Sequence, residues 1–277
     1  MAISGATKIT GIIGSPVKHT LSPLMHNAAF NHLKLNFVYV PFLVKPSELG
    51  DAIKGFKALN VRGINVTVPH KERVVKYMDK LDPLAENVGA VNTVVFENGN
   101  ACGYNTDGTG FIKSIKSATS LHGKTVLVIG AGGAGSSVSF ALSRENVRKL
   151  FIYDILGKKA SVLAGKINSK KGLARAETTS SPERVATETD IVVNASTSGM
   201  NKKDRCVLDP SLLRKGMFIY DIVYNAKTQL LRQAERLGAG HMDGMEMLLF
   251  QGAAAFELWT DRKAPLDIMR KVITERR

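Results

Sequence analysis

The sequence predicts an α/β chain in two parts, an N-terminal α/β domain followed by a doubly wound sheet of parallel strands. Three observations lead there. Short β-rich runs alternate with helical patterns along most of the chain. In the second half these runs are almost continuously apolar, Lys124–Ile129 (KTVLVI) above all, as strands read when both faces of a parallel sheet are covered. That run is followed at once by a turn of glycines and then by a helix-forming stretch.

Taken in order, ITGIIG reads as a strand, and Ser22-Pro23 opens a helix, serine suiting the N-cap and proline the first helical position. Met25, Ala29 and Leu33 then recur at helical spacing as one apolar stripe. Asn36–Phe42 is a second strand, Pro46–Leu59 a second helix and Val61–Val68 a third strand. Helical material over Lys71–Leu81 leads to strands at Ala90–Phe96 and Ala101–Tyr104, and a helix is expected over Gly108–Ala118. Beyond the glycine turn come a helix through Leu142, strands at Lys149–Tyr153, Ile191–Asn194 and Met217–Ile222, and helices at Gly244–Phe256 and Leu266–Glu275. The expected division is residues 1–108, 109–240 and a C-terminal helical segment, 241–277.

Composition narrows the function. With 44% hydrophobic and 22% charged residues the chain has the material for a sizeable core. Only two cysteines, Cys102 and Cys206, occur, with no C-x-x-C and no histidine pair at ligand spacing, so neither a disulfide framework nor a metal site is expected. No secretory leader and no apolar run of membrane-spanning length is present, and a soluble cytoplasmic protein is the expectation. The net charge is +14, and 21 basic against 10 acidic residues fall within 109–240. They are scattered among apolar positions with no aromatic-interleaved basic stretch, which suits a surface that draws in anionic ligands better than a nucleic-acid partner.

The glycine turn, Gly130-Ala131-Gly132-Gly133-Ala134-Gly135, fits G-x-G-x-x-G between a buried strand and a helix. The first glycine permits the tight turn, the second lets backbone approach a pyrophosphate, and the third allows helix to pack on strand, with the helix N-terminus facing the phosphates. The second part is therefore expected to be a Rossmann-type, doubly wound dinucleotide-binding domain. Asp154 closes the next strand, where a carboxylate accepts hydrogen bonds from an adenosine ribose and repels a 2′-phosphate, favouring NAD; the plainer alternative is an aspartate capping a turn. Lys158 and Lys159 lie close enough to leave NADP open.

Four clusters in the first part are polar where a scaffold has no need of it. Thr20 and Ser22 place two hydroxyls at a strand-to-helix junction, suited to a carboxylate ligand or simply to capping. In Asn65-Val66-Thr67-Val68-Pro69-His70-Lys71, alternation sends Asn65 and Thr67 to one face, and Pro69 ends the strand just before Lys71. Gly89–Thr93 carries Asn92, and Gly103–Gly108 carries Asp107 in a turn at the junction of the two parts. Singly, each is a turn or cap; jointly, a lysine, an aspartate, asparagines and hydroxyls at element ends are the inventory for holding a polyhydroxylated acid.

The motifs S-P-V-K-H-T-L-S-P-L-M-H-N, N-V-T-V-P-H-K, G-A-V-N-T, G-Y-N-T-D-G, G-A-G-G-A-G, N-A-S-T-S-G-M, D-I-V-Y-N and Q-G-A-A-A-F, in this order and over nearly the whole chain, resemble the shikimate dehydrogenase family. The resemblance implies reversible, nicotinamide-dependent reduction of 3-dehydroshikimate to shikimate on the route to chorismate and the aromatic amino acids. It implies Lys71 and Asp107 as the catalytic pair, Thr20 and Ser22 for the substrate carboxylate, and Thr67, Asn92, Asp107, Tyr224 and Gln251 for the ring hydroxyls or their support. It implies Gly130, Ala131, Gly132, Gly133 and Ala134 for the pyrophosphate and Ile222 and Gly244 by the nicotinamide, while Asp154 and Lys159 are placed on the adenosine side by the reading of the glycine turn rather than by the resemblance. It also implies that the C-terminal helices return to the first domain, bringing Gln251 with them.

Three departures matter. A threonine, Thr20, stands for the usual serine, and Ala226 stands for the proline after D-I-V-Y-N. The asparagine-arginine-threonine turn of NADP-dependent members is replaced by Asp154-Ile155-Leu156, which points to NAD and resembles the quinate/shikimate branch, making quinate a candidate second substrate. Lys71 then acts as proton carrier, or as an electrostatic anchor with Asp107 or water as the base. The alternative function is a catalytically silent, NAD-responsive regulatory protein on the same scaffold. Folate-intermediate and glutamyl-tRNA dehydrogenases share the build, but N-V-T-V-P-H-K and Q-G-A-A-A-F disfavour them. A small-molecule substrate is the expected partner, with the chain a monomer or a homodimer.

Overall fold

The fold was taken from a computed structural model, which describes residues 3–201 and 203–276. The chain forms two compact units, residues 1–106 with 248–277, and residues 107–247. Each contains one six-stranded sheet.

In the first unit, β1 (Lys8–Gly14) is followed by α1 (Ser22–His32), β2 (Phe37–Leu43), α2 (Leu49–Ala58) and β3 (Gly63–Val66). β1 pairs in parallel with both β2 and β3. β2 lies at the edge of the sheet, where Pro41 has no N–H to leave unpaired on the open side. The outward backbone groups of Tyr39 are taken by the Asn27 side chain of α1, which donates to the Tyr39 carbonyl at 2.9 Å and accepts from its N–H at 2.9 Å. The helix expected over 71–81 is instead a 3-10 turn, Arg73–Tyr77, and a two-residue strand, β4 (Lys80–Leu81). Asp79 explains the break: its Oδ2 accepts from the Ala101 N–H and from Lys57 Nζ, both at 2.6 Å, which draws the chain out along the sheet rather than around a helix. α3 (Pro83–Val88), capped by Asp82, was not marked by any periodic run. β5 (Thr93–Glu97) and β6 (Asn100–Tyr104) complete the sheet in the order β2-β1-β3-β5-β6-β4, with β3–β5 and β5–β6 antiparallel.

The second unit opens on α4 (Asp107–Lys116), then β7 (Thr125–Ile129), α5 (Gly133–Ser143), β8 (Lys149–Tyr153), α6 (Gly157–Asn168), β9 (Ala176–Thr178), β10 (Ile191–Asn194), β11 (Phe218–Asp221), α7 (Gln229–Arg236) and β12 (Gly240–Asp243). All its strand pairs are parallel, in the order β12-β11-β10-β7-β8-β9. Counted from β7, this is the 3-2-1-4-5-6 order of a doubly wound Rossmann sheet, with the switch of direction between β7 and β10. Residues 241–243, expected to begin the C-terminal helical segment, are the last strand of this sheet, because Tyr220 and Asp221 of β11 pair with Met242 and Asp243. The boundary falls within α8 (Met245–Thr260), after Met247, and α9 (Leu266–Thr274) ends the first unit.

The first unit has a core around Ile13, Phe56, Ile64, Val74 and Val94 on one face of its sheet. On another side, α8 and α1 meet at a second, aromatic cluster: His26, fully buried, is stacked on Tyr39 with ring centres 4.4 Å apart, with Trp259 at 5.3 Å and Phe30 at 6.2 Å. Neither ring nitrogen of His26 has a hydrogen-bond partner. Gly252 of α8 faces Met25 of α1 there, where a methyl group would overlap Met25 Cε, the end of a flexible side chain. Trp259 ties α8 to the sheet, donating from Nε1 to the Val94 carbonyl at 3.1 Å across Gly63.

Burial lowers the pKa of His26 from 6.5 to about 3. In the unfolded chain the imidazole takes up a proton near 6.5, in the folded chain only near 3, so between these values the unfolded state binds more protons and stability falls as pH falls. At about 1.4 kcal/mol per unit this loss reaches on the order of 4–5 kcal/mol at the acid end of the window. In His26→Phe, urea midpoints measured from pH 7 to pH 4 are expected to decline less steeply than those of the parent chain, whatever the packing change does to the level at neutral pH.

Candidate active site

In the first unit the polar residues converge on Asn92, buried at the entry to β5. Its Oδ1 accepts from the Thr106 N–H at 2.8 Å and from the Thr93 hydroxyl at 3.2 Å. Its Nδ2 donates to Thr106 Oγ1 at 2.9 Å and to Gln251 Oε1 at 3.3 Å. Gln251, half-buried on α8, donates from Nε2 to the Leu248 carbonyl at 3.0 Å, and its own carbonyl accepts from Thr106 Oγ1 at 3.1 Å. Asn92 and Gln251, predicted separately, are thus brought together.

Thr20 and Ser22 are also brought together, and neither caps α1. The N-cap is Leu21 rather than Ser22, so serine is the first helical residue and proline the second. Ser22 Oγ is therefore not spent on an amide of the first turn; it accepts from the Thr20 hydroxyl at 3.2 Å, while the Ser22 N–H donates back to Thr20 Oγ1 at 3.3 Å. Asn65 and Thr67 part company. Asn65 is buried and engaged internally, whereas Thr67 lies half-exposed just beyond the end of β3, its N–H on the Ile13 carbonyl at 3.0 Å. Lys71 follows, half-buried, its carbonyl accepting from the Val91 N–H at 2.9 Å. Its neighbour His70 turns into the core, with Nε2 2.8 Å from the Val44 carbonyl.

In the second unit Gly130 leaves β7 at φ 109° and passes the switch point so closely that a methyl group there would lie 2.9 Å from the backbone of Ala195 and Ser196, just past β10. A side chain on Gly135 would overlap the Gly130 carbonyl, which is the close strand–helix approach the third glycine of the pattern serves. Gly132 is the N-cap of α5 and no side chain caps it, and Gly132, Gly133 and Ala134 are half-exposed. Amides of an uncapped helix start, reached over glycines with no room for a Cβ, fit a dinucleotide pyrophosphate.

Asp154 fulfils its capping alternative: Oδ2 accepts from the Ala131 N–H at 2.7 Å and Oδ1 from the Leu156 N–H at 2.8 Å. Each carboxylate oxygen retains acceptor capacity, so this does not preclude a ribose hydroxyl. Lys158 and Lys159 are exposed in the first turn of α6. Ile222 and Gly244 press together, a side chain on Gly244 overlapping the Ile222 carbonyl. Asp107, buried, is the first residue of α4, and Gly108 lets α4 pack on α5, where a methyl group would lie 2.9 Å from the Ser137 carbonyl oxygen. Tyr224 is half-buried in the loop after β11.

That loop has an organiser the sequence reading missed. Asp221, fully buried, accepts through Oδ1 from Asn194 Nδ2 at 3.0 Å and the Val223 N–H at 3.1 Å, and through Oδ2 from the Thr228 hydroxyl at 2.8 Å. Burial pushes its pKa up from the usual carboxylate range. The signal was present: Asp221 opens D-I-V-Y-N and Asn194 opens N-A-S-T-S-G-M. Among the described residues no three His, Cys, Asp or Glu side chains gather to hold a metal, and no helix is long and apolar enough to cross a membrane.

A parallel sheet in Rossmann order, with a glycine turn at its switch point and a second α/β unit rich in ordered hydroxyls and amides, defines the class of two-unit dinucleotide-dependent dehydrogenases. Family comparisons refine it. Residues 12–94 match the shikimate dehydrogenase substrate binding domain, 113–223 the shikimate/quinate 5-dehydrogenase family, and 244–274 the shikimate 5′-dehydrogenase C-terminal domain. A protein of Methanobrevibacter smithii named shikimate dehydrogenase (NADP(+)) is 44% identical over 276 residues, covering 98% of each chain. The crystal structure of shikimate dehydrogenase from Aquifex aeolicus superimposes with a TM-score of 0.92 at 41% identity, covering 98% of this chain and 99% of that one. That of shikimate 5-dehydrogenase from Listeria monocytogenes, in complex with shikimate and NAD, does so at 0.88 and 37%, covering 99% and 98%. The chain belongs to the shikimate dehydrogenase family.

Because Gly108 has backbone rather than a flexible side chain opposite it, Gly108→Ala must displace α4 from α5. A loss of about 1–3 kcal/mol in unfolding free energy is expected by urea denaturation, and an unchanged midpoint would refute this close packing.

Proposed function

We propose that the chain catalyses reversible, nicotinamide-dinucleotide-dependent reduction of 3-dehydroshikimate to shikimate, that it prefers NAD to NADP, and that it accepts quinate as a second substrate. The observation that carries this is the hydroxyl and amide cluster of the first unit, Thr20 with Ser22 and Asn92 with Gln251, in a chain of this family. Two hydroxyls that cap no helix suit a substrate carboxylate, and amides already oriented by their neighbours suit ring hydroxyls. On this reading Thr67, Asn92, Gln251 and Tyr224 serve the ring, and Asp107, an acceptor when ionised, takes a hydrogen bond from a substrate hydroxyl.

The bound dinucleotide supplies hydride in one direction and takes it up in the other. Lys71, as ammonium, donates the proton that the developing alkoxide requires and stabilises its charge beforehand; in reverse, the neutral amine removes the hydroxyl proton. The Gly130 and Ala131 N–H groups are taken by the Tyr153 carbonyl and by Asp154, so these two residues would shape the turn while Gly132, Gly133 and Ala134 would offer backbone N–H groups to the pyrophosphate, and Ile222 with Gly244 would lie by the nicotinamide.

Asp154 supports the NAD preference. Its carboxylate sits against the glycine turn and opposes a 2′-phosphate, and no arginine follows it before α6. The family contains both choices: the M. smithii relative is named for NADP(+), and the Listeria protein was solved with NAD. Quinate follows from the same turn and from the scope of the family matched over 113–223.

Initial rates with shikimate or quinate and with NAD⁺ or NADP⁺ test all three parts. A kcat/KM at least ~10-fold higher with NAD⁺ is expected, the size of roughly one lost charged contact. Turnover confined to NADP⁺ would overturn the Asp154 argument and leave the enzyme, and no turnover in any combination would overturn the activity itself. In Lys71→Met, kcat is expected to fall ~10²–10⁴-fold, with the dissociation constant for the dinucleotide essentially unmoved by fluorescence titration. Equal losses in both would remove Lys71 from the proton transfer.

A further inference from the structure

We propose that Tyr39 is a positioning residue for the shikimate-binding amides, acting through Asn65. The inference rests on the reading of Asn92 and Gln251 given above and extends it to two residues that none of the family motifs assigns a role here. Tyr39 lies on the edge strand β2 and is 1% exposed. It is held on three sides: Asn27 brackets its backbone, His26 stacks on its ring at 4.4 Å with planes 10° apart, and its hydroxyl donates to Asn65 Oδ1 at 2.8 Å. Asn65 stands opposite Thr93 in the β3–β5 register. With its oxygen committed to the phenol, its Nδ2 faces the other way and donates to the Asn92 carbonyl at 3.2 Å and to Thr93 Oγ1 at 3.0 Å. The Thr93 hydroxyl in turn donates to Asn92 Oδ1 at 3.2 Å, which leaves Asn92 Nδ2 to donate to Gln251 Oε1 at 3.3 Å.

Every bond in this chain has a direction, and the directions are consistent from end to end. A phenol hydroxyl can donate only one hydrogen, and an amide whose oxygen receives it must offer its two hydrogens elsewhere. Tyr39 therefore sets which face of Asn65 is donor. Asn65 grips Asn92 by its backbone and, through Thr93, by its side chain. The dry end of the chain lies in the aromatic cluster, and the other end is the half-buried Gln251. Asn65 itself is 4% exposed with its amide engaged on both sides, so it acts on Asn92 rather than as a surface for ligand.

The test is steady-state kinetics of Tyr39→Phe, which deletes the hydroxyl and keeps the stacked ring. The KM for shikimate is expected to rise about 5–20-fold, the range for one weakened hydrogen-bonded orientation, with the KM for the dinucleotide unchanged. Asn65→Leu should raise the shikimate KM by a similar factor, and adding Tyr39→Phe to it should raise it no further. A Tyr39→Phe enzyme with a lowered melting temperature but an unaltered shikimate KM would overturn the proposal, as would full additivity of Tyr39→Phe and Asn65→Leu. Asn92→Ala separates this outcome from failure of the underlying reading: if it too leaves the shikimate KM unmoved, Asn92 does not bind the substrate and the proposal falls with that reading.

Discussion

The first unit depends on the side-chain amide of Asn92. One acceptor and one donor group of this residue bind Thr106, just past β6, and Gln251 on α8, and its backbone carbonyl receives β3 through Asn65. Buried amides are costly unless satisfied, and here each partner satisfies another in turn. The same bonds that hold a segment 159 residues distant in sequence also orient the amides proposed above to meet the substrate. Stability and recognition share one set of atoms, so a change that frees Asn92 to adapt would loosen the unit as well.

The second unit solves a different problem, that of bringing backbone rather than side chains to a ligand. Gly130 and Gly135 remove every atom that would hold β7, α5 and the strand beyond the switch point apart. Asp154 then latches the turn from the β8 side, and Asp221 latches the loops after β10 and β11. Two carboxylates, one half-exposed and one fully buried, thus stand at the ends of strands on either side of the turn, each accepting from backbone amides. The arrangement leaves the glycine amides as the donors of the region that no side chain caps.

Much of this was legible in the order of residues. KTVLVI followed by GAGGAG specifies a buried strand, its turn and its helix with little room for another outcome, because hydrophobic period and glycine position agree. What escaped notice has a common cause. β12 is GHMD, with no apolar run, and becomes a strand only because β11 offers it an edge. Residues 71–81 carry helical spacing, yet Asp79 finds two donors that exist only in the folded sheet. The polar residues of the site were recognisable as an inventory, but the pairing of Asn92 with Gln251 depends on a helix that returns from the far end of the chain, and only the family likeness anticipated it. The capping of a turn by Asp154 was legible as an alternative, while its second bond, to the Ala131 amide 23 residues earlier, exists only once β7 and β8 pair.

The edge of the first sheet has a consequence for assembly. A parallel strand at an open edge ordinarily exposes a row of donors and acceptors on which another chain can build. On β2 that row is interrupted twice: Pro41 has no N–H, and both backbone groups of Tyr39 are occupied by Asn27. Strand addition from this side would have to displace a side chain and would still find a gap in the ladder two residues on. The asparagine that steadies Tyr39 thus also blunts this edge against the addition of a further strand.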